Sequence, residues 1–173
     1  MLLLAFFLRF IKLDLLPLSG DETDVALQAQ SLSINGRDYR GNFLPTYIQS
    51  FAESRAPLLM YFTVPSIKLF GVNTYSLRLI PLLFGILSIY LTYLLVIDLS
   101  KSPILSLGTA FSLTISPWHI HYSRMSYEVT LLISLILLGI IFFRRYLKRP
   151  RLLTQILFIL FFLRAGLMMS IPI

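Results

Sequence analysis

The stretch Leu79–Ile97, LIPLLFGILSIYLTYLLVI, contains no charged residue, and this constrains the fold more than any other feature of the chain. A helix needs roughly 20 mainly apolar residues to cross about 30 Å of hydrocarbon, and this run has both the length and the composition. Thr130–Phe143 and Leu152–Leu163 repeat the pattern, each extendable at its ends to a full span. Ile104–Trp118 forms a shorter fourth run, with Pro117 marking its exit from the bilayer. The opening MLLLAFFLRFIKL is interrupted by Arg9 and Lys12. It lacks a positive segment ahead of the apolar stretch and a small-residue cleavage site, so it reads as an uncleaved first helix and not as a signal peptide. At 57% hydrophobic and 13% charged residues, with a mean hydropathy of +0.80, the chain lies outside the range of soluble domains. The expected fold is an all-α, multi-pass integral membrane protein of about five transmembrane helices.

Orientation follows from the loops, because Lys and Arg collect on the cytoplasmic side of short connections. Arg144, Arg145, Lys148, Arg149 and Arg151 place one loop inside. Counting back through the spans puts Asp98–Pro103 inside as well, the N-terminus in the cytoplasm, and Ser19–Arg55 outside. That outer loop, residues 19–56, holds Asp21, Glu22, Asp24, Asp38 and Glu53, five of the eight acids in the chain. Within it, Val25, Ala26, Ala29 and Leu32 recur at helical spacing behind a Ser/Asp start, which predicts a short amphipathic helix at the membrane surface ended by Asn35-Gly36. Pro57–Phe70 is apolar but carries Pro65 and Lys68, and is expected to dip into the interface without crossing.

Charge of +7 overall would suggest nucleic acid in a soluble chain. Here the basic loop at Arg144–Arg151 serves topology and contact with anionic lipid, and no nucleic acid is implied. Without cysteine, thiolate chemistry and Cys-type metal sites are excluded. His119 and His121 are two residues apart, a spacing that points them apart on a helix, so no metal site is implied. The candidate chemistry lies elsewhere. Asp21 and Glu22 follow the first helix directly, where acids either cap a helix or serve as a general base whose proton affinity is raised near apolar surface. Arg124 and Glu128 sit four apart and so on one face of a helix that enters the membrane from outside; an ion pair and a polar cavity wall are both open readings. Arg78 and Arg9 raise the same question, and Arg55 before Pro57 can simply reach to the interface.

Taken in order, Arg9, SGDET at Ser19–Thr23, DVALQAQSL, SRAPLLMYF, KLFGVNTYSLRLIP and SPWHIHYSRMSYEV resemble the GT-C membrane glycosyltransferases. The similarity is to the RgtA/B/C/D-like branch, akin to protein O-mannosyltransferases and lipid A aminoarabinose transferases, over about residues 5 to 140. The resemblance implies transfer of a sugar from a polyprenyl-phosphate donor to a hydroxyl of a lipid, glycan or protein acceptor, on the extracytoplasmic face and with inversion. It implies Asp21 as the base with Glu22 beside it, and Arg55, Arg78 and Arg124 as phosphate-binding groups. Arg9 and Glu128 are supporting residues, Glu128 standing where the family often has Asp. The substrate is a lipid-linked sugar, and neither a cofactor nor a divalent metal is implied.

Two other classes compete: a transporter or lipid-binding membrane protein, and a non-catalytic piece that packs with other helices. Five spans in 173 residues make about half of the membrane module the resemblance implies, and Arg164 stands late in an apparent membrane helix. The chain is therefore expected to be the N-terminal part of such a module, holding the acid and phosphate-binding half of a site and inactive alone. The topology is directly testable in this cysteine-free chain. Cysteines introduced singly at Asn42 and Lys148 should react with impermeant reagent from opposite sides of the membrane; equal labelling in intact cells would exclude the scheme.

Overall fold

The computed structural model describes residues 1–50 and 54–169; Glu53 and the segment 170–173 of the sequence reading lie outside them. Eight helices carry the described chain: α1 (Leu2–Phe10), α2 (Gly20–Asn35), α3 (Leu58–Phe70), α4 (Thr74–Ser100), α5 (Pro103–Ile115), α6 (Pro117–Ser123), α7 (Val129–Lys148) and α8 (Leu152–Met169). Between α2 and α3 a small antiparallel ribbon pairs β1 (Ile48–Gln49) with β2 (Ser54–Arg55), Ile48 opposite Arg55. Two helices, α4 and α7, are long and apolar enough to cross a membrane, and three shorter helices are apolar as well.

The boundaries follow from local chemistry. Ser19 and Glu22 form a reciprocal capping box at the start of α2, and Gly36 ends the helix in the left-handed region at φ 70°. Val25, Ala26, Ala29 and Leu32 are all buried, as their spacing predicts. Asn73 and Ser76 cap α4 in the same way, so the helix starts before the charge-free run and takes Arg78 into its first turns. Pro103 occupies the first turn of α5 and Pro117 that of α6, where a missing N–H costs nothing. Pro117 therefore begins a new helix after the bend at Ser116. α3, expected at the interface, is a full helix that buries Leu59, Met60, Thr63, Ser66 and Ile67 against its neighbours.

One expectation fails. Arg124 and Glu128 do not share a helical face, because α6 ends at Ser123 and α7 begins only at Val129. The Ser126 backbone N–H is drawn to Glu22 Oε1 at 2.9 Å, and Arg124 Nη2 reaches the Lys12 carbonyl at 2.6 Å. Both long-range bonds compete with helical continuation, and no ion pair joins the two residues.

The packing of α7 on α4 rests on hydroxyls. Pro81 interrupts α4 and cannot donate to the Leu77 carbonyl; Ser126 Oγ donates to it instead at 3.3 Å. Thr130 Oγ1 donates to the Pro81 carbonyl at 3.1 Å and Ser134 Oγ to the Phe84 carbonyl at 2.8 Å. Thr130 and Ser134, one turn apart on α7, and Ser126 in the link before it are all buried and placed to lace the two elements together, as polar residues do between membrane helices. At the other end, Asp98 of α4 pairs with Arg144 at 2.8 Å, with Lys101 at 3.2 Å and with Lys148. α8 folds back on α7 through Phe142 stacked on Phe161 and the ring of Phe162 over Gly139.

Close approach is tightest at Gly85, where a methyl group would lie 2.7 Å from Ser123 Cβ. Gly85→Ala should therefore destabilise the protein by about 1–3 kcal/mol, as overpacking does. Gly139→Ala meets only the movable ring of Phe162 and should cost less. Unfolding midpoints of the two variants in detergent check the order.

Candidate active site

Adjacent in sequence, Asp21 and Glu22 go in different directions from the first turn of α2. Asp21 stays at the surface, its side chain 45% exposed, and its Oδ1 accepts from Arg55 Nη2 at 2.6 Å. Glu22 is fully buried. Its Oε1 accepts from Arg78 Nε at 2.8 Å and from the Ser126 amide, and its Oε2 from Arg78 Nη2 at 2.7 Å and from the Ser19 amide at 3.1 Å. Burial alone would raise the Glu22 carboxyl, but the bonds from Arg78 and from the two amides outweigh it and hold the pKa below the ordinary carboxylate value.

Arg78 is only 2% exposed. Besides its two bonds to Glu22, its Nη1 donates to the Leu13 carbonyl at 2.6 Å and the Leu16 carbonyl at 3.2 Å, and its Nη2 to the Pro17 carbonyl at 3.3 Å. These bonds match the whole donor capacity of a guanidinium. Together Glu22 and Arg78 tie the α1–α2 link, α2, α4 and the α6–α7 link to one point, directly beneath Asp21.

Arg55 reaches Asp21 from β2 and is 18% exposed. Burial weakens its hold on its proton; the bond to Asp21 and the charges of Asp21, Glu128 and Asp24 more than compensate, so its pKa is raised. Glu128 precedes α7 with Oε1 buried and without a hydrogen-bond partner. Burial pushes its carboxyl above the ordinary range, with Arg55 pulling back. Asp24 is 1% exposed and neither of its carboxylate oxygens has a partner; one turn on, Gln28 leaves Nε2 unpaired. Arg55 is thus within electrostatic reach of three carboxylates and bonds only one.

The remaining basic residues lie in other places. Arg124, His121 and Arg78 border a separate cavity of about 430 Å³ with Leu13 and Pro117. Arg9 is buried between α1 and the α5–α6 bend, where Nη1 donates to the Ala5 and Thr114 carbonyls at 3.0 and 3.3 Å. Its Nη2 contacts His119 Nδ1 at 2.8 Å, and His119 Nε2 meets Ser88 Oγ at 2.8 Å. A guanidinium can only donate, so His119 accepts on Nδ1 and donates from Nε2 to Ser88. The structure therefore gathers Asp21, Arg55 and Glu128, sets Glu22 and Arg78 beneath them, and leaves Arg124 and Arg9 apart. Sequence reasoning gave Asp24, Gln28 and Ser126 no role. The available signal was the helical register of α2, which puts Asp24 and Gln28 on the face of Asp21 at i+3 and i+7.

Because Glu22 titrates below its unfolded value near 4.5, its contribution to stability is complete above that pH and is lost as pH falls through the folded value. Glu22→Gln should remove this acid limb from the profile of unfolding midpoint against pH. Arg78→Met leaves Glu22 buried without a counter-ion and should cost about 3–5 kcal/mol. Thermal melts in detergent read both, and an acid limb of unchanged size in the Gln variant would assign it to other carboxylates.

Residues 1–171 match the family described as dolichyl-phosphate-mannose-protein mannosyltransferase. No curated protein and no solved structure matches the chain. The chain belongs to the dolichyl-phosphate-mannose-protein mannosyltransferase family, membrane glycosyltransferases of the GT-C type that use a polyprenyl-phosphate mannose donor.

Proposed function

We propose that the chain carries the site at which mannose passes from a polyprenyl-phosphate donor to a protein hydroxyl, on the extracytoplasmic face and with inversion. α1, α4, α5 with α6, α7 and α8 are the five spans of this reading, and α2 and α3 form its outer layer. The observation that carries it is the Asp21–Arg55 pair, an accessible carboxylate beside a half-buried cation at the end of the bundle opposite the basic Arg144–Arg151 loop.

Asp21 takes the proton of the acceptor hydroxyl. The acceptor oxygen attacks the anomeric carbon from the side opposite the phosphate, the bond from that carbon to the phosphate oxygen breaks, and the polyprenyl phosphate leaves with the electron pair. Arg55 stabilises the charge that develops on the departing phosphate, for which a guanidinium offers a matched fork of donors. Arrival of the donor gives Arg55 a second anion to bind, which frees Asp21 Oδ1 for the acceptor. Glu22 and Arg78 act one layer below as positioning residues, since their hydrogen bonds are already taken within the fold. Glu128 and Asp24 set the local charge around Arg55. Arg124, from its separate cavity, supports the link between α1 and α2, and Arg9, with His119, holds α1 to the α5–α6 bend.

Asp21→Asn removes proton affinity with almost no change in volume. In a transfer-competent form of the enzyme it should leave folding and donor binding in place while lowering transfer by about 10² to 10⁴-fold. Glu22→Gln should lower stability more than it lowers transfer per folded molecule. Turnover of radiolabelled lipid-linked mannose onto a peptide reads the outcome, and normal rates in the Asn variant would remove Asp21 as the base.

A further inference from the structure

The proposed mechanism gives the lipid tail of the donor no place to lie, and one basic residue of the membrane region has no task. Arg164 stands on α8 about 18 Å along the axis from Leu152, at 1.5 Å per residue, and so near the outer end of the helix. It is exposed, and among the described residues it has neither a hydrogen bond nor an ion pair. An arginine on a membrane helix is costly unless it meets an anion or reaches the interface.

Two depressions meet at this side chain. One, of about 360 Å³, runs down α8 along Ile156, Ile159, Leu160 and Leu163. That stripe has the spacing of one helix face, is wholly apolar, and ends at Arg164. The other, of about 470 Å³, lies between α8 and the outer layer, with Leu44, Tyr47, Pro57 and Tyr61 on its walls and Arg164 at its edge. Ala56, the residue after Arg55, is also on its wall. An apolar depression therefore leads to a lone cation and then into a cavity that reaches Ala56, the residue next to Arg55.

We infer that Arg164 and the α8 stripe bind the polyprenyl phosphate of the donor, the isoprenoid lying along Ile156–Leu163 and the phosphate entering between Arg164 and Arg55. This rests on the donor reading given above and adds to it a lipid track and a second phosphate ligand. The occupant follows from shape and charge together. An amphiphile with a single anionic head and a hydrocarbon chain fits an apolar stripe along one helix that ends in one arginine. An ordinary phospholipid would be satisfied at the groove, whereas the continuation toward Arg55 leads the head group to the place where phosphate departs. The apolar walls beside Ala56 and Pro57 exclude water from that passage, which strengthens the attraction of both guanidinium groups for the phosphate.

The test uses a polyprenyl phosphate without sugar, carrying a diazirine in its isoprenoid chain, bound to the protein in phosphatidylcholine nanodiscs. Crosslinks are expected on Ile156–Leu163. Arg164→Gln should weaken binding at least tenfold with an unchanged unfolding midpoint, and Arg164→Lys should recover part of the loss. If Arg55→Gln weakens binding and Arg164→Gln does not, the track along α8 is wrong while the donor reading stands. If neither arginine matters, the donor reading itself fails. Displacement of the probe by phosphatidylglycerol as readily as by unlabelled polyprenyl phosphate would overturn the inference in favour of a general anionic-lipid contact.

Discussion

The junction of α2, α4 and the links before α2 and α7 is organised around the pairing of Arg78 with Glu22. An ion pair removed from water is stabilising only when the remaining donors and acceptors of both partners are also matched, and here they are, by three main-chain carbonyls on one side and two main-chain amides on the other. The carbonyls belong to the link between α1 and α2, and one of the amides belongs to the link between α6 and α7. Segments with no regular structure of their own thus acquire a fixed path from a single side-chain pair. Asp21 inherits its position from that arrangement, because the residue beside a fully anchored glutamate has little freedom in where its own Cα sits.

The second organising device is the donation of side-chain hydroxyls to main-chain carbonyls of α4, one of which a proline leaves free. Pro81 interrupts the hydrogen-bond ladder of α4 in the middle of an apolar helix, which in hydrocarbon leaves an acceptor that must find a donor inside the protein. Ser126, Thr130 and Ser134 supply donors at successive turns. These bonds give α4 and α7 a specific register, while Gly85 admits Ser123 of α6 and Gly139 admits the Phe162 ring of α8.

Local features were legible in the sequence and long-range ones were not. The limits of α2 followed from Ser19 and Gly36, and its buried stripe from the spacing of Val25, Ala26, Ala29 and Leu32, because capping and periodicity are properties of a few consecutive residues. The charge-free run after Arg78 located α4. The partnership of Glu22 with Arg78 spans 56 positions, and no local pattern encodes it. The same holds for the turn between Arg124 and Glu128, where a four-residue spacing suggested a helix and an amide drawn to Glu22 prevented one. Asp24 was visible as an acid but not as a buried one, since burial of a carboxylate depends on what the rest of the fold places over it.

The two ends of the bundle hold their charges in different media. At the Arg144–Arg151 end, Asp98 meets its three cations with all four side chains partly open to water, so mobile ions compete for it and its attraction fades within a Debye length of about 8 Å at physiological ionic strength. Glu22 and Arg78 are closed off from such competition. Changes in electrolyte therefore loosen the junction of α4 and α7 at one end while leaving the support of Asp21 at the other untouched. The fixed placing of Asp21 is thereby insulated from the ionic conditions at the Arg144–Arg151 end of the bundle.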